Sequence, residues 1–147
     1  MSKARQELLK NLIEKFTKTA HNMHSNQSFP FGDFMLGRQQ VMIMFYIYEN
    51  KELSSVKAIA KKLNVTPGAV TQFVDGLVEK KLVIREENSS DRRSINIILA
   101  PETEEKFNNF RETYLINASR SFIGLSDAEL TEFVKLLEKI KFINPKF

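Results

Sequence analysis

The chain has 147 residues, enough for one domain of ordinary size with a real core. It carries 22 Lys and Arg against 18 Asp and Glu, a formal net charge of +4, and no cysteine, which excludes disulfides and thiolate metal sites. No apolar run approaches the ~18 residues that span a bilayer, and the N-terminus lacks the apolar core of a signal peptide, so a cytoplasmic protein without a membrane partner is expected.

In chain order, Leu9, Leu12, Ile13, Phe16, Ala20 and Met23 form one apolar stripe, which predicts a first helix over residues 3 to 25 or so. The segment Asn26-Gln27-Ser28-Phe29-Pro30-Phe31-Gly32 breaks it, because Pro and Gly stop a helix. A second helix is expected from near Gly37 to Glu49, with Val41, Phe45 and Tyr48 sharing a face. Ala58-Ile59-Ala60-Lys61-Lys62-Leu63 again has helical spacing. Asn64 follows, one of the few non-glycine residues that tolerate a left-handed turn. Thr66 can then cap the next helix, and Pro67 suits its first turn, where no amide hydrogen is needed. That helix should bury Val70, Phe73, Val74, Leu77 and Val78 while leaving Gly68, Ala69, Thr71, Gln72 and Asp75 outside.

Two strands are expected next, Leu82 to Glu86 and Ile95 to Leu99, around the charged tip Asn88-Ser89-Ser90-Asp91-Arg92-Arg93. Helix, tight turn, helix and charged ribbon make a winged helix-turn-helix. The second helix has a small, polar, nearly uncharged outer face that can approach base edges, so double-stranded DNA is the expected partner. Residues 38–98 hold ten Lys and Arg against seven Asp and Glu, whereas residues 99–147 hold seven against eight. The basic excess thus avoids the C-terminal third, as a phosphate-binding lobe requires. Beyond the ribbon, Glu102 to Gly124 reads as a helix anchored by Phe107, Phe110, Tyr114 and Phe122. Ser126 and Glu129 form a capping box for a last helix carrying Leu130, Phe133, Val134, Leu137 and Ile140. The fold class is mainly α: a winged helix-turn-helix lobe at 37–100 with one small β-hairpin wing, flanked by helices at 1–36 and 101–147, in a single domain.

The run Leu82-Val83-Ile84-Arg85-Glu86, a polar tip, and Asp91-Arg92-Arg93-Ser94 before Ile95-Asn96-Ile97-Ile98-Leu99 resembles the wing of MarR-family transcriptional regulators. The family's wing carries Asp-x-Arg and a small residue, matched here by Asp91, Arg93 and Ser94, and the flanking helices extend the resemblance over essentially the whole chain. Family wings usually end in Leu-Thr, whereas this chain has Leu99-Ala100-Pro101. Ala100 cannot cap the following helix, so Pro101 is expected to mark its first turn by its fixed φ. The lack of cysteine excludes thiol-based peroxide sensing within the family.

The resemblance implies a homodimer interlocked through both terminal regions, Phe142 and Phe147 included, that reads an inverted-repeat operator. It implies a DNA-binding regulator, a repressor relieved by a small ligand. The expected DNA contacts are Ser54, Ser55, Thr66, Pro67, Gly68, Ala69, Thr71, Gln72, Asp91, Arg92 and Arg93. Arg93 is assigned to the minor groove, Arg92 to phosphate, and Asp91 to an internal brace. Ser54 and Ser55 either cap the helix that precedes the reading helix or donate to phosphate. Lys57, Lys61, Lys62, Lys80 and Lys81 can be read simply as solubilising.

A cavity for a small aromatic or amphipathic ligand is implied between the dimer helices and the reading lobe, with Phe31, Phe34, Met35, Arg38, Met42 and Phe45 as candidates. The aromatics among these suit plain core better, while a buried Arg38 needs an anion or a carboxylate partner. Two other functions stay open: a winged helix used as a protein-interaction adaptor, and a metal-dependent hydrolase built on His21 and His24, with Asp33 nearby. The second lacks a third ligand, a phosphate loop and a nucleophile elbow, so no catalytic residue, metal or cofactor is expected.

Overall fold

The computed structural model describes residues 1–24 and 27–141, which form two compact units, 1–104 and 105–147. The first unit opens with α1 (Lys3–His24), a hairpin of β1 (Ser28–Phe31) and β2 (Phe34–Gly37), and α2 (Arg38–Glu49). It continues through α3 (Val56–Leu63), α4 (Pro67–Glu79), and a second hairpin of β3 (Val83–Glu87) and β4 (Ile95–Leu99). Helix α5 (Pro101–Ser119) crosses from one unit into the other, and a 3-10 turn (Arg120–Phe122) and α6 (Asp127–Glu138) complete the second.

The helix-turn-helix forms as its local chemistry dictates. Asn64 ends α3 in the left-handed conformation at φ 54°, ψ 47°, and its N–H donates to the Ala60 carbonyl. Thr66 caps α4, accepting from the Ala69 N–H at 3.2 Å, and Pro67 occupies the first turn. Val70, Val74 and Leu77 are fully buried. Phe73 and Val78, expected beside them, are half-buried at the edge of that face. Lys81 takes the left-handed conformation at φ 58° after α4, which turns the chain into β3.

Three features depart from the sequence reading. The break after α1 contains a second hairpin, in which Phe29 pairs with Leu36 and Phe31 with Phe34 around a turn at Gly32 with φ +56°. On α2 the buried positions are Val41, Ile43, Met44 and Ile47, while Phe45 and Tyr48 are only half-buried. Both sets fit helical spacing, and packing against α4 and β4 selects the first. Finally, α5 ends at Ser119 and α6 at Glu138, so Phe122 lies in the 3-10 turn and Ile140 beyond the last helix.

In the first unit the core is Leu36, Val41, Ile43, Met44, Ile47, Ile59, Val70, Val74, Leu77, Val83 and Ile97. The α1 stripe lies outside it: Leu12, Ile13 and Phe16 are 54, 62 and 46% exposed. In the second unit Phe107 is buried and stacks on Phe110, with ring centroids 5.7 Å apart. Pro101 is the first residue of α5, as its fixed φ predicts. The capping box of α6 forms, Ser126 accepting from the Glu129 N–H at 3.3 Å and its own N–H donating to Glu129 at 2.8 Å. Phe133, Val134, Leu137 and Ile140 are each more than a third exposed. Phe142, Phe147 and the Met23 side chain, expected to take part in dimer contacts, lie outside the described residues.

Candidate nucleic-acid interface

The reading helix presents exposed Thr66, Pro67, Gly68, Thr71 and Gln72, with Ala69 half-buried. A Cβ added at Gly68 would meet nothing within 4 Å, so the backbone there is open to a close approach. The Thr71 hydroxyl donates to the Pro67 carbonyl at 3.0 Å, which leaves its methyl group and its acceptor lone pairs available to a partner. Gly76 is the packing counterpart further along: a Cβ there would sit 3.0 Å from Gln40 Nε2 of α2. Gln40 is oriented by accepting the Gly37 N–H at 3.2 Å.

The wing pairs Val83 with Leu99 through to Glu87 with Ile95. Its tip is closed by the Asn88 N–H donating to the Ser94 carbonyl, and the Ser94 N–H to the Asp91 carbonyl, both at 3.0 Å. Asp91 Oδ1 also accepts from the Arg93 backbone N–H at 3.0 Å. Asp91 is therefore a brace that acts on the backbone of the tip. Arg92 and Arg93 are exposed, so both guanidinium groups are open to an anion.

The two serines separate. Ser55 caps α3, accepting from the Ala58 N–H at 3.1 Å, and its hydroxyl proton stays free to donate. Ser54 is fully buried, its hydroxyl donates to the Asn50 carbonyl, and its own carbonyl accepts from the Ile97 N–H. The expected phosphate contact from Ser54 is corrected on this ground, since no phosphate reaches it.

Two ion pairs were not legible from the chain. Asp75 of α4 pairs with Arg85 of β3, and Lys51, after α2, pairs with Glu104 of α5. Lys51 Nζ also lies 5.9 Å from the Tyr48 ring centroid. The bond to Glu104 raises the Lys51 ammonium above its ordinary range. In sequence these partners are ten and 53 residues apart, beyond any periodic signal. Asn96 is a further addition: buried on β4, it donates to the Glu52 carbonyl at 3.1 Å and bridges to Ser55, which ties the start of α3 to the wing.

The ligand candidates differ in exposure. Phe31 is buried, Phe34, Arg38, Met42 and Phe45 are half-buried, and Met35 is 59% exposed. Arg38 opens α2 at partial exposure, so the premise of a buried arginine in search of an anion does not hold. A cleft of about 220 Å³ lies elsewhere, between the end of α2, the wing and the start of α5. The His24 side chain lies outside the described residues, and these hold no group of three or more His, Cys, Asp or Glu that could bind a metal. No helix among them is long and apolar enough to cross a membrane.

The family model for MarR matches residues 36–95, from the end of β2 to the start of β4 in the wing. The HTH-type transcriptional repressor YetL of Bacillus subtilis (strain 168) is 29% identical over 101 residues, covering 69% of this chain and 60% of YetL. The chain thus spans about 60% of that relative's length. Among solved structures, the transcriptional regulator BldR from Sulfolobus solfataricus superposes with a TM-score of 0.65 at 26% identity, covering 95% of this chain and 100% of BldR. The S. aureus MepR–DNA complex gives 0.62 at 20% identity, covering 92% and 94%. The match over residues 36–95 takes in the helix-turn-helix and most of the wing: over that segment the chain is similar to MarR-family regulators.

Proposed function

We propose that this chain is a sequence-specific DNA-binding transcriptional regulator that acts as a two-fold homodimer on an inverted-repeat operator. The observation that carries this is the pairing, on one lobe, of a Thr66-capped helix with exposed Thr71 and Gln72 and a wing tip that holds Arg92 and Arg93 out to solvent. The family match supports it, and MepR, which shares the fold, has been solved with DNA. Repression follows the pattern of YetL, a repressor by name, and relief by a small aromatic or amphipathic ligand completes the proposed cycle. CouR from Rhodococcus jostii RHA1, solved with p-coumaroyl-CoA, is a fold relative that holds such a molecule.

Dimerisation is supported by the uncovered apolar residues of α1 and α6, which a second copy can bury. The protein works in the cytoplasm and has no catalytic role in this reading. Selection of bound duplexes from a random pool tests it. The expected winners are inverted repeats with half-sites roughly one helical turn apart, and enrichment of no sequence contradicts the reading.

A further inference from the structure

We propose that the cleft at the root of the wing binds small organic monocations, an ammonium group carrying one aromatic ring or a short alkyl chain. The cleft measures about 220 Å³ and is lined by Ile47 and Tyr48 of α2, Lys51, Glu86 and Ile98 of the wing, and Glu104 of α5. Sites for drug-sized ligands run to ~300–1,000 Å³, so this one suits a single ring or a short chain.

Its charge selects the sign of the ligand. Lys51 and Glu104 neutralise each other in their ion pair. Glu86 is exposed and has no cationic partner among the described residues, so one negative charge is left over. Glu86 pairs with Asn96 in the ribbon and Ile84 with Ile98, which puts Glu86 and Ile98 diagonally on one face. An ammonium at Glu86 can therefore lay its apolar part against Ile98 and Ile47. The Tyr48 ring already accepts the Lys51 ammonium at 5.9 Å, so it offers a π face to cations. An anion finds two carboxylates here and a lysine already engaged.

The cleft joins the end of α2, the wing and the start of α5, so a ligand there acts on the element that carries Arg92 and Arg93. That regulatory consequence rests on the DNA-binding reading above, whereas the binding itself does not.

The test titrates the 147-residue chain with phenethylammonium chloride, with sodium benzoate as the control, followed by amide resonances. Shifts are expected at residues 47–51, 86 and 98–104, with benzoate giving none there. Binding to E86Q and Y48L should be about two- to fivefold weaker. Both changes are at exposed or half-buried positions outside the core, and E86Q keeps the side-chain shape. Shifts that are absent, equal with benzoate, or unchanged in E86Q overturn the proposal. Duplex binding is measured on the same samples. If duplex binds and the cation does not, the cleft proposal alone falls; if the cation binds and duplex does not, the DNA reading falls and the site stands.

Discussion

Asp75 of α4 is ion-paired with Arg85 of the first wing strand, a contact that ties the helix to the wing. The Asp75 side chain is 59% and the Arg85 side chain 35% exposed, so the pair is worth little to global stability, about 0.2–1 kcal/mol. Its use is geometric. A double-mutant cycle of Asp75→Asn and Arg85→Met should give a small coupling in urea unfolding and a larger one in affinity for the preferred operator. Equal coupling in both measurements would reduce the pair to a surface contact.

Gln72 lies exposed in the second turn of α4, and its amide can bond bidentately to adenine. Gln72→Ala should cost about 1–3 kcal/mol on the preferred site and relax preference at one base position. A uniform loss on every sequence would make Gln72 a backbone contact.

The wing arginines should differ. If Arg93 enters the minor groove, Arg93→Ala weakens binding most on operators with A·T-rich flanks, where the groove is narrow. Arg92→Ala should weaken all sites alike and lower the salt slope by about one. Because Asp91 accepts the Arg93 amide, Asp91→Ala should loosen the tip and mimic Arg93→Ala in part. Isotherms on A·T-rich and G·C-rich flanks at two salt concentrations check this. Identical losses for Arg92 and Arg93 across flanks would show that the wing supplies charge only.

The Ser126 backbone N–H, and then its hydroxyl, hold the Glu129 carboxyl below its ordinary range. A folded value below the unfolded one stabilises α6 above the unfolded value of ~4.3, and the gain is lost as pH falls through the lowered folded value. Protection of the amides in the first turn of α6, taken relative to the intrinsic exchange rate at each pH, should fall on acidification in the wild type. Glu129→Gln, which can still accept the bond but does not titrate, should flatten that response; an unchanged response would assign it to other carboxylates.

What could be read from the chain was what is local. The left-handed Asn64, the Thr66 and Ser126 caps and the Pro101 helix start each depend on residues within one turn, and all four formed. The first hairpin was missed because Pro30 and Gly32 signal only a break, while the pairing of Phe29 with Leu36 is a relation across it. The buried face of α2 was misread because Val41 fits both alternatives, and tertiary contacts choose between them. Ser54 was expected at phosphate because a serine beside a helix start suits a donor. Its burial follows from the pairing of its carbonyl with Ile97, 43 positions on. The wing tip was legible in composition, whereas its ties to α4 through Arg85 and to the start of α3 through Asn96 were not.

The most direct test is fluorescence anisotropy of the full chain on a selected operator duplex and a scrambled one across a salt series, with the mass in solution from light scattering. The expected mass is twice the 17.0 kDa of one chain. Affinity for the operator should exceed that for the scrambled duplex, and log K should fall with log salt by ~0.9 per phosphate contact, steeper than about −2 for two wings. A single-chain mass, or binding that is flat in salt and indifferent to sequence, would contradict a dimer that reads DNA.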